Sequence, residues 1–279
     1  MRIRFLLASL GACAVLGVQG QSLPQQPAGA SAWQLPHGLE VKDAGPRTYR
    51  FTVVYNTANT TGQIVQRQRV TGDYTRGLPN GDVMWKNVGL ATAMGATAPF
   101  PLPQSQDYME GFRYRDDLDA TMQPDFFKSF PATAVLERNL VWDTGMFEMF
   151  GQKDFDLLQL NQPLHAGANQ DVKMPNVGTF HNRDIVLEWV GRSQRNGEDC
   201  ALIDYQAFFN PLEIASGGMT LNGRSDYWGE IWVSLTTKQI EYATINEEVF
   251  GEMTLPGQKT PQNLSVFRTG ELALVSGKN

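Results

Sequence analysis

The chain reads as mainly β (α+β): an antiparallel sheet of about 8–10 strands with a short helical insertion in the middle. Three observations predict this. Apolar and polar residues alternate with period 2 over most of the sequence from Arg47 on. The alternating runs are separated by short turn signals, which join strands as hairpins and make them antiparallel. Only near residues 124–160 does the apolar spacing change towards that of a helix.

The first run, Arg47 to Tyr74, sets Tyr49, Phe51, Val53 and Tyr55 against Thr48, Arg50, Thr52 and Val54, and turns at 56–62 (NTANTTG). It predicts a long hairpin. Asn80-Gly81-Asp82 marks another turn before Val83-Met84-Trp85. Residues 95–107 carry Pro99, Pro101 and Pro103, whose fixed φ favours an extended segment and excludes a helix. Within 124–160, Pro124-Asp125-Phe126-Phe127 suits a first helical turn. Leu136, Leu140, Phe147 and Phe150 then share one side, with Glu137, Arg138 and Glu148 elsewhere. Gly145 interrupts this pattern, so one kinked helix or two short ones are expected, with Asp143 able to cap the second. Residues 162–179 have loop composition. Asp184–Val190, the Asn196-Gly197 turn and Cys200–Phe209 read as strand, turn, strand. Tyr227–Leu235, a turn at Thr236-Thr237-Lys238, Gln239–Val249 and Asn263–Val275 supply the last strands. No internal repeat of fixed period is evident.

Residues 1–20 have the form of a secretory signal peptide: Arg2 and Arg4, an uncharged stretch from Phe5 to Val18, and small residues before Gly20-Gln21. The apolar run is too short for a membrane span. Leu10-Gly11-Ala12-Cys13 also has lipobox character, but the apolar residues after Cys13 favour ordinary cleavage. Residues 21–35, rich in Gln, Pro, Ala and Gly, then form a flexible leader to a single β-rich domain over 36–279. An exported protein, periplasmic or extracellular, is expected. Removing the leader takes two arginines and no acid, so the net charge moves from −6 to −8. An acidic chain without a Lys/Arg cluster is a poor partner for nucleic acid or anionic membranes. Cys200 is then the remaining cysteine, so no internal disulfide is expected; its apolar run reads as that of a buried residue.

Asp143-Thr144-Gly145 resembles the active-site loop of aspartic proteases. That chemistry needs two carboxylates sharing a proton. The chain has no second copy, carries Met146 where a small residue is expected, and has a helical pattern where the motif needs a strand and loop. Asp116-Asp117-Leu118-Asp119 and Asp154-Phe155-Asp156 lack calcium-loop spacing. The first reads as a solvated loop pairing with Arg113 and Arg115. His37, His165 and His181 stand apart in segments read as loops, with no metal spacing. No nucleophile elbow or phosphate loop is found. The sequence therefore points to no catalytic, cofactor-binding or metal-ligating residue.

Trp189, Tyr205, Phe208, Phe209, Tyr227, Trp228 and Trp232 fall within 44 residues. Tyr227, Ile231 and Val233 lie on one face of a strand and Trp228 and Trp232 on the other. Either both faces are covered or one lines an apolar cavity. The stretch 226–240 (DYWGEIWVSLTTKQI) resembles hairpins of exported bacterial proteins related in shape to the periplasmic lipoprotein carriers (LolA/LolB-like). The resemblance covers about 50 of the 279 residues. It implies a curved sheet with helices on its concave side and an apolar small molecule or lipid as partner. Three classes stand open: a carrier of an apolar ligand, which needs a cavity of several hundred Å³; a structural or protein-interaction domain; and an enzyme working through Asp143.

Overall fold

A computed structural model describes residues 34–123, 125–174, 177–216 and 218–276. The expected signal peptide, its Cys13 and the leader as far as residue 33 lie outside the described residues. Leu35, at the end of the expected leader, is buried in the core, because an apolar side chain beside the sheet gains more from burial than its segment loses in freedom.

Among the described residues, eleven strands form one curved, open, wholly antiparallel sheet. They are β1 (Arg47–Ala58), β2 (Ile64–Leu78), β3 (Asp82–Met94), β4 (Gln104–Ser105), β5 (Phe112–Arg115), β6 (Pro163–Met174), β7 (Gly178–Arg195), β8 (Glu198–Ser216), β9 (Met219–Ser234), β10 (Ile240–Thr254) and β11 (Gln262–Ser276). The spatial order is β4-β3-β2-β1-β11-β10-β9-β8-β7-β6, with β5 also on β3. Every neighbour on the path but one is joined in sequence. The exception is the central pair β1–β11, which brings the two ends of the sheet's chain together. β6 corrects the expectation of loop over 162–179. Its composition is polar because it is an edge strand, with most of its side chains exposed.

The inner face follows strand parity. Tyr49, Phe51, Val53 and Tyr55 of β1 are buried, as are Tyr205 of β8 and Ile231 and Val233 of β9. This confirms the expected division of β9, with Trp228 and Trp232 on the outer face. That face stays open to solvent: Trp228 lies between Phe208 and Phe267, at ring separations of 6.2 and 6.3 Å. Trp232 lies beneath Arg195.

Between β5 and β6 the chain crosses the inner face. The short helix α1 (Leu118–Thr121) is capped by Asp117, whose carboxylate accepts from the N–H groups of Asp119 and Ala120. Asp116 lies 3.6 Å from Arg76, while Arg113 pairs with Asp82, so the expected local pairing of Asp116 with Arg113 and Arg115 does not form. Residues 125–130 make turns rather than the expected first helical turn; Pro124 lies outside the described residues. Helix α2 (Val135–Glu148) runs through Gly145 without a break and continues as a wider π turn over Met149–Lys153. One helix therefore replaces the expected kinked helix or pair. Phe147 meets Phe51 edge-on at 5.9 Å, and Phe150 packs on Tyr205 at 5.5 Å. Gly151 permits this approach, since a Cβ there would stand 3.0 Å from Ile231 and 3.1 Å from Val233.

The polar side expected for α2 is absent. Glu137, Arg138 and Glu148 are buried with the rest. An aromatic layer from the preceding segment covers the helix from outside: Phe127 packs on Trp142 and under Arg138, and Tyr108 packs on Phe130.

Candidate functional site

A helix buried on all sides must find partners for its charges inside the protein. Two buried ionic groups join α2 to the inner face, and one more pairs strands of the sheet itself. Arg76 of β2 binds Glu148 at 2.6 Å, and the Tyr74 hydroxyl donates to the same carboxylate at 2.8 Å. Burial drives the Glu148 carboxyl well above the usual range, with Arg76 opposing. Arg47 binds Glu241 at 2.6 Å, and the Asn196 amide donates to Glu241 at 3.1 Å.

The third group is built from one lateral row of the sheet. Tyr55, Arg268, Glu247 and Tyr227 are register partners on β1, β11, β10 and β9. Arg268 donates two bonds to Asp143 of α2, at 2.6 and 3.0 Å, and a third from Nε to Glu247. Ser225 also donates to Glu247. Both carboxylates and the guanidinium are buried. Burial pushes the Asp143 carboxyl up to about 6; Arg268 opposes the shift and Glu247 adds to it.

This placement corrects the protease reading. Asp143-Thr144-Gly145 lies in mid-helix rather than in a loop between strands. Thr144 donates back to the carbonyls of Leu140 and Val141, and the Asp143 carboxylate is committed to Arg268. Asp143 is not a helix cap either, because α2 begins eight residues earlier, at Val135. The histidines are also corrected in part. His165 and His181 stand on β6 and β7, each beside a carboxylate (Asp184 at 2.9 Å, Asp171 at 2.6 Å), while His37 is exposed before β1. Cys200 is fully buried and its thiol is pushed up to about 12 by burial, with Glu241 adding, which fits an inert core residue.

The Asp143–Arg268–Glu247 group forms the polar end of a cleft of about 230 Å³ between α2 and the inner face. Val135, Asn139, Trp142, Met146 and Met149 supply the helical wall; steps of three and four place them on one side of α2. The sheet wall is Val172 and Met174 of β6, Phe180 and Ile185 of β7, Leu212 and Ile214 of β8, and Ile245 and Val249 of β10. A second apolar cluster of Leu212, Leu221 and Leu264 adjoins it, with Met174, Phe180, Val249 and Met253 packed against it and only half-buried. The cavity therefore belongs to the Tyr227 face of the sheet. Its volume falls just below the roughly 300–1,000 Å³ of most ligand sites, so it admits a narrow group. A larger hollow of about 510 Å³ lies on the outer face over Phe208 and Trp228. It is a shallow saucer rimmed by Asp204 and Glu230.

Sequence reasoning missed Arg268 and Glu247, although both carry a legible signal. Each falls in the apolar phase of its strand, Arg268 with Leu264, Val266 and Leu272, and Glu247 with Ala243, Ile245 and Val249. An ionisable residue on the buried parity of a strand must have a partner inside.

Among the described residues, no helix is long and apolar enough to cross a membrane. No protein-family model matches the sequence, and no curated protein matches it. Among solved structures, a lipovitellin structure described by its lipid–protein interactions aligns with 85% of this chain at 12% identity and a TM-score of 0.38. A DUF1329-family protein from Desulfovibrio piger aligns with 85% of this chain and 89% of its own at 6% identity and a TM-score of 0.16. The chain spans about a quarter, 26%, of the lipovitellin chain, and these likenesses are too distant to assign a family.

Proposed function

We propose that the protein binds an apolar ligand in the cleft between α2 and the inner face of the sheet. The observation that carries this reading is the lining: a methionine-rich helical wall faces a branched aliphatic wall across open space, with one polar cluster at the end. Methionine is unbranched and polarisable, so such a wall adapts to ligands of irregular shape. The commitment of the Asp143 carboxylate to Arg268 favours binding over catalysis through Asp143. An exported setting goes with this reading and rests on the pattern of residues 1–20.

Native mass spectrometry of the full chain from its own source tests the proposal directly. An apolar molecule released on denaturation is expected, as is saturable uptake of N-phenyl-1-naphthylamine at about one per chain. Ile214→Trp fills the cleft and should abolish uptake while leaving the far-UV circular dichroism unchanged. A protein that carries no such molecule and takes up no probe overturns the reading.

A further inference from the structure

Resting on that binding reading, we propose that the cleft selects amphiphiles with an uncharged, hydrogen-bond-accepting end, such as an ester carbonyl held by the Trp142 indole N–H, and excludes those with an anionic end.

The exclusion follows from charge. Arg268 is the one cation among the described residues lining the cleft, and Asp143 and Glu247 face it. Four of its five N–H donors are already taken. Nε binds Glu247, Nη2 binds Asp143, and Nη1 binds Asp143 and reaches Tyr55 at 3.5 Å. A ligand carboxylate or phosphate could take one N–H bond from Nη2 at most, unless it displaced a resident carboxylate. It would do so in a site whose charges already sum to −1, counting one guanidinium against two carboxylates, where burial of all three groups weakens the screening of the repulsion.

The selection follows from what remains unpaired. Asn139 donates to the Tyr55 hydroxyl at 3.2 Å, and Asn182 accepts from the Tyr227 hydroxyl at 2.9 Å. The Trp142 indole differs. Its side chain lines the cleft, the residue is 8% exposed, and Nε1 has no hydrogen-bond partner. Buried donors are seldom left in this state. An indole N–H donates and cannot accept, so its complement is an acceptor such as a carbonyl oxygen. The available length is also bounded. At about 30 Å³ per water-sized group, 230 Å³ holds about eight such groups. A chain of about ten carbons fits if its tip runs on over the second apolar cluster.

The experiment compares 1-monodecanoylglycerol with decanoate in displacing N-phenyl-1-naphthylamine from the full chain at pH 7.5. The neutral ester is expected to bind at least ten times more tightly. Trp142→Phe keeps an aromatic ring and removes the donor. It should weaken the ester about tenfold, or about 1.4 kcal/mol, beyond any change in the affinity of the probe, which has no carbonyl and is titrated directly in the same variant. Decanoate binding as tightly as the ester overturns the exclusion. An unchanged ester affinity in Trp142→Phe overturns the role of the indole. Failure of the wild-type protein to bind probe or either amphiphile refutes the underlying binding reading itself, and the inference with it.

Discussion

Removing Arg268 should cost far more stability than removing Asp143, although the two form one ion pair. Arg268 lies between two carboxylates, and the side chains of Arg268, Asp143 and Glu247 are 10%, 7% and 11% exposed. Arg268→Met leaves both carboxylates buried without a cation, and breaking a buried pair this way costs roughly 3–5 kcal/mol. Asp143→Asn instead leaves Arg268 with Glu247, so the local charge moves from −1 to 0. The amide still accepts from one guanidinium nitrogen, and the loss is about one hydrogen bond, roughly 1 kcal/mol. Urea unfolding followed by tryptophan fluorescence reads the difference. With a slope of about 3 kcal/mol/M, the midpoint should fall by about 1–1.7 M for Arg268→Met and by about 0.3 M for Asp143→Asn. Equal losses in the two variants, or a larger loss in Asp143→Asn, would show that the site is not short of positive charge. The exclusion of anionic ligands argued from that imbalance would lose its basis as well.

Two further predictions concern acid and backbone. Burial raises the carboxyls of Asp143, Glu148, Glu137, Asp154 and Asp204, so each binds its proton more tightly folded than unfolded. Stability should therefore rise as the pH falls from about 6, the value for Asp143, towards the unfolded carboxylate range near 4; a thermal midpoint that falls steadily from pH 7 to pH 5 would contradict this. Gly229 on β9 has no room for a Cβ, which would stand 2.1 Å from the Thr244 carbonyl and 2.7 Å from the Tyr205 hydroxyl. Gly229→Ala should destabilise by about 1–3 kcal/mol in calorimetry, while Gly191→Ala, with nothing within 4 Å, should stay within about 0.5 kcal/mol.

The hairpins were legible because each strand alternates and most turns are short. Strand β7 reads cleanly from Ile185 to Trp189, and its Asn196-Gly197 turn is of the kind that forces a hairpin. β6 was not legible, because an edge strand needs no apolar alternation; its pairing with β7 supplies what its side chains do not. The curvature and the central β1–β11 pairing depend on contacts between distant segments, which no local pattern encodes. Helix α2 was legible as a helix, but its surroundings were not. Glu137 and Arg138 look like a solvent face until Phe127, Phe130 and Tyr108 are seen to cover it, and Glu148 turns instead to Arg76 on the sheet.

That misreading of α2 and the missed cleft have one cause. A helix with polar groups on several sides cannot pack directly on an apolar sheet along its whole length. Where the sheet supplies a matching charge, as Arg76 does for Glu148, the two surfaces close. At Asp143 the matching charge, Arg268, is shared with Glu247, and four donors of one guanidinium hold both carboxylates and Tyr55. Beyond this point α2 presents Asn139, Trp142 and Met146 rather than the Leu140 and Phe147 of its packed side, and the helix and sheet walls stay apart. The ionic group thus acts as a spacer as well as a bond. Replacing it with apolar side chains of similar volume is expected to strengthen the fold and narrow the cleft together. On this reading, a more stable Asp143→Leu/Glu247→Leu/Arg268→Met triple variant would bind the naphthylamine probe less tightly; a stabilised variant with undiminished binding would separate the ionic group from the site.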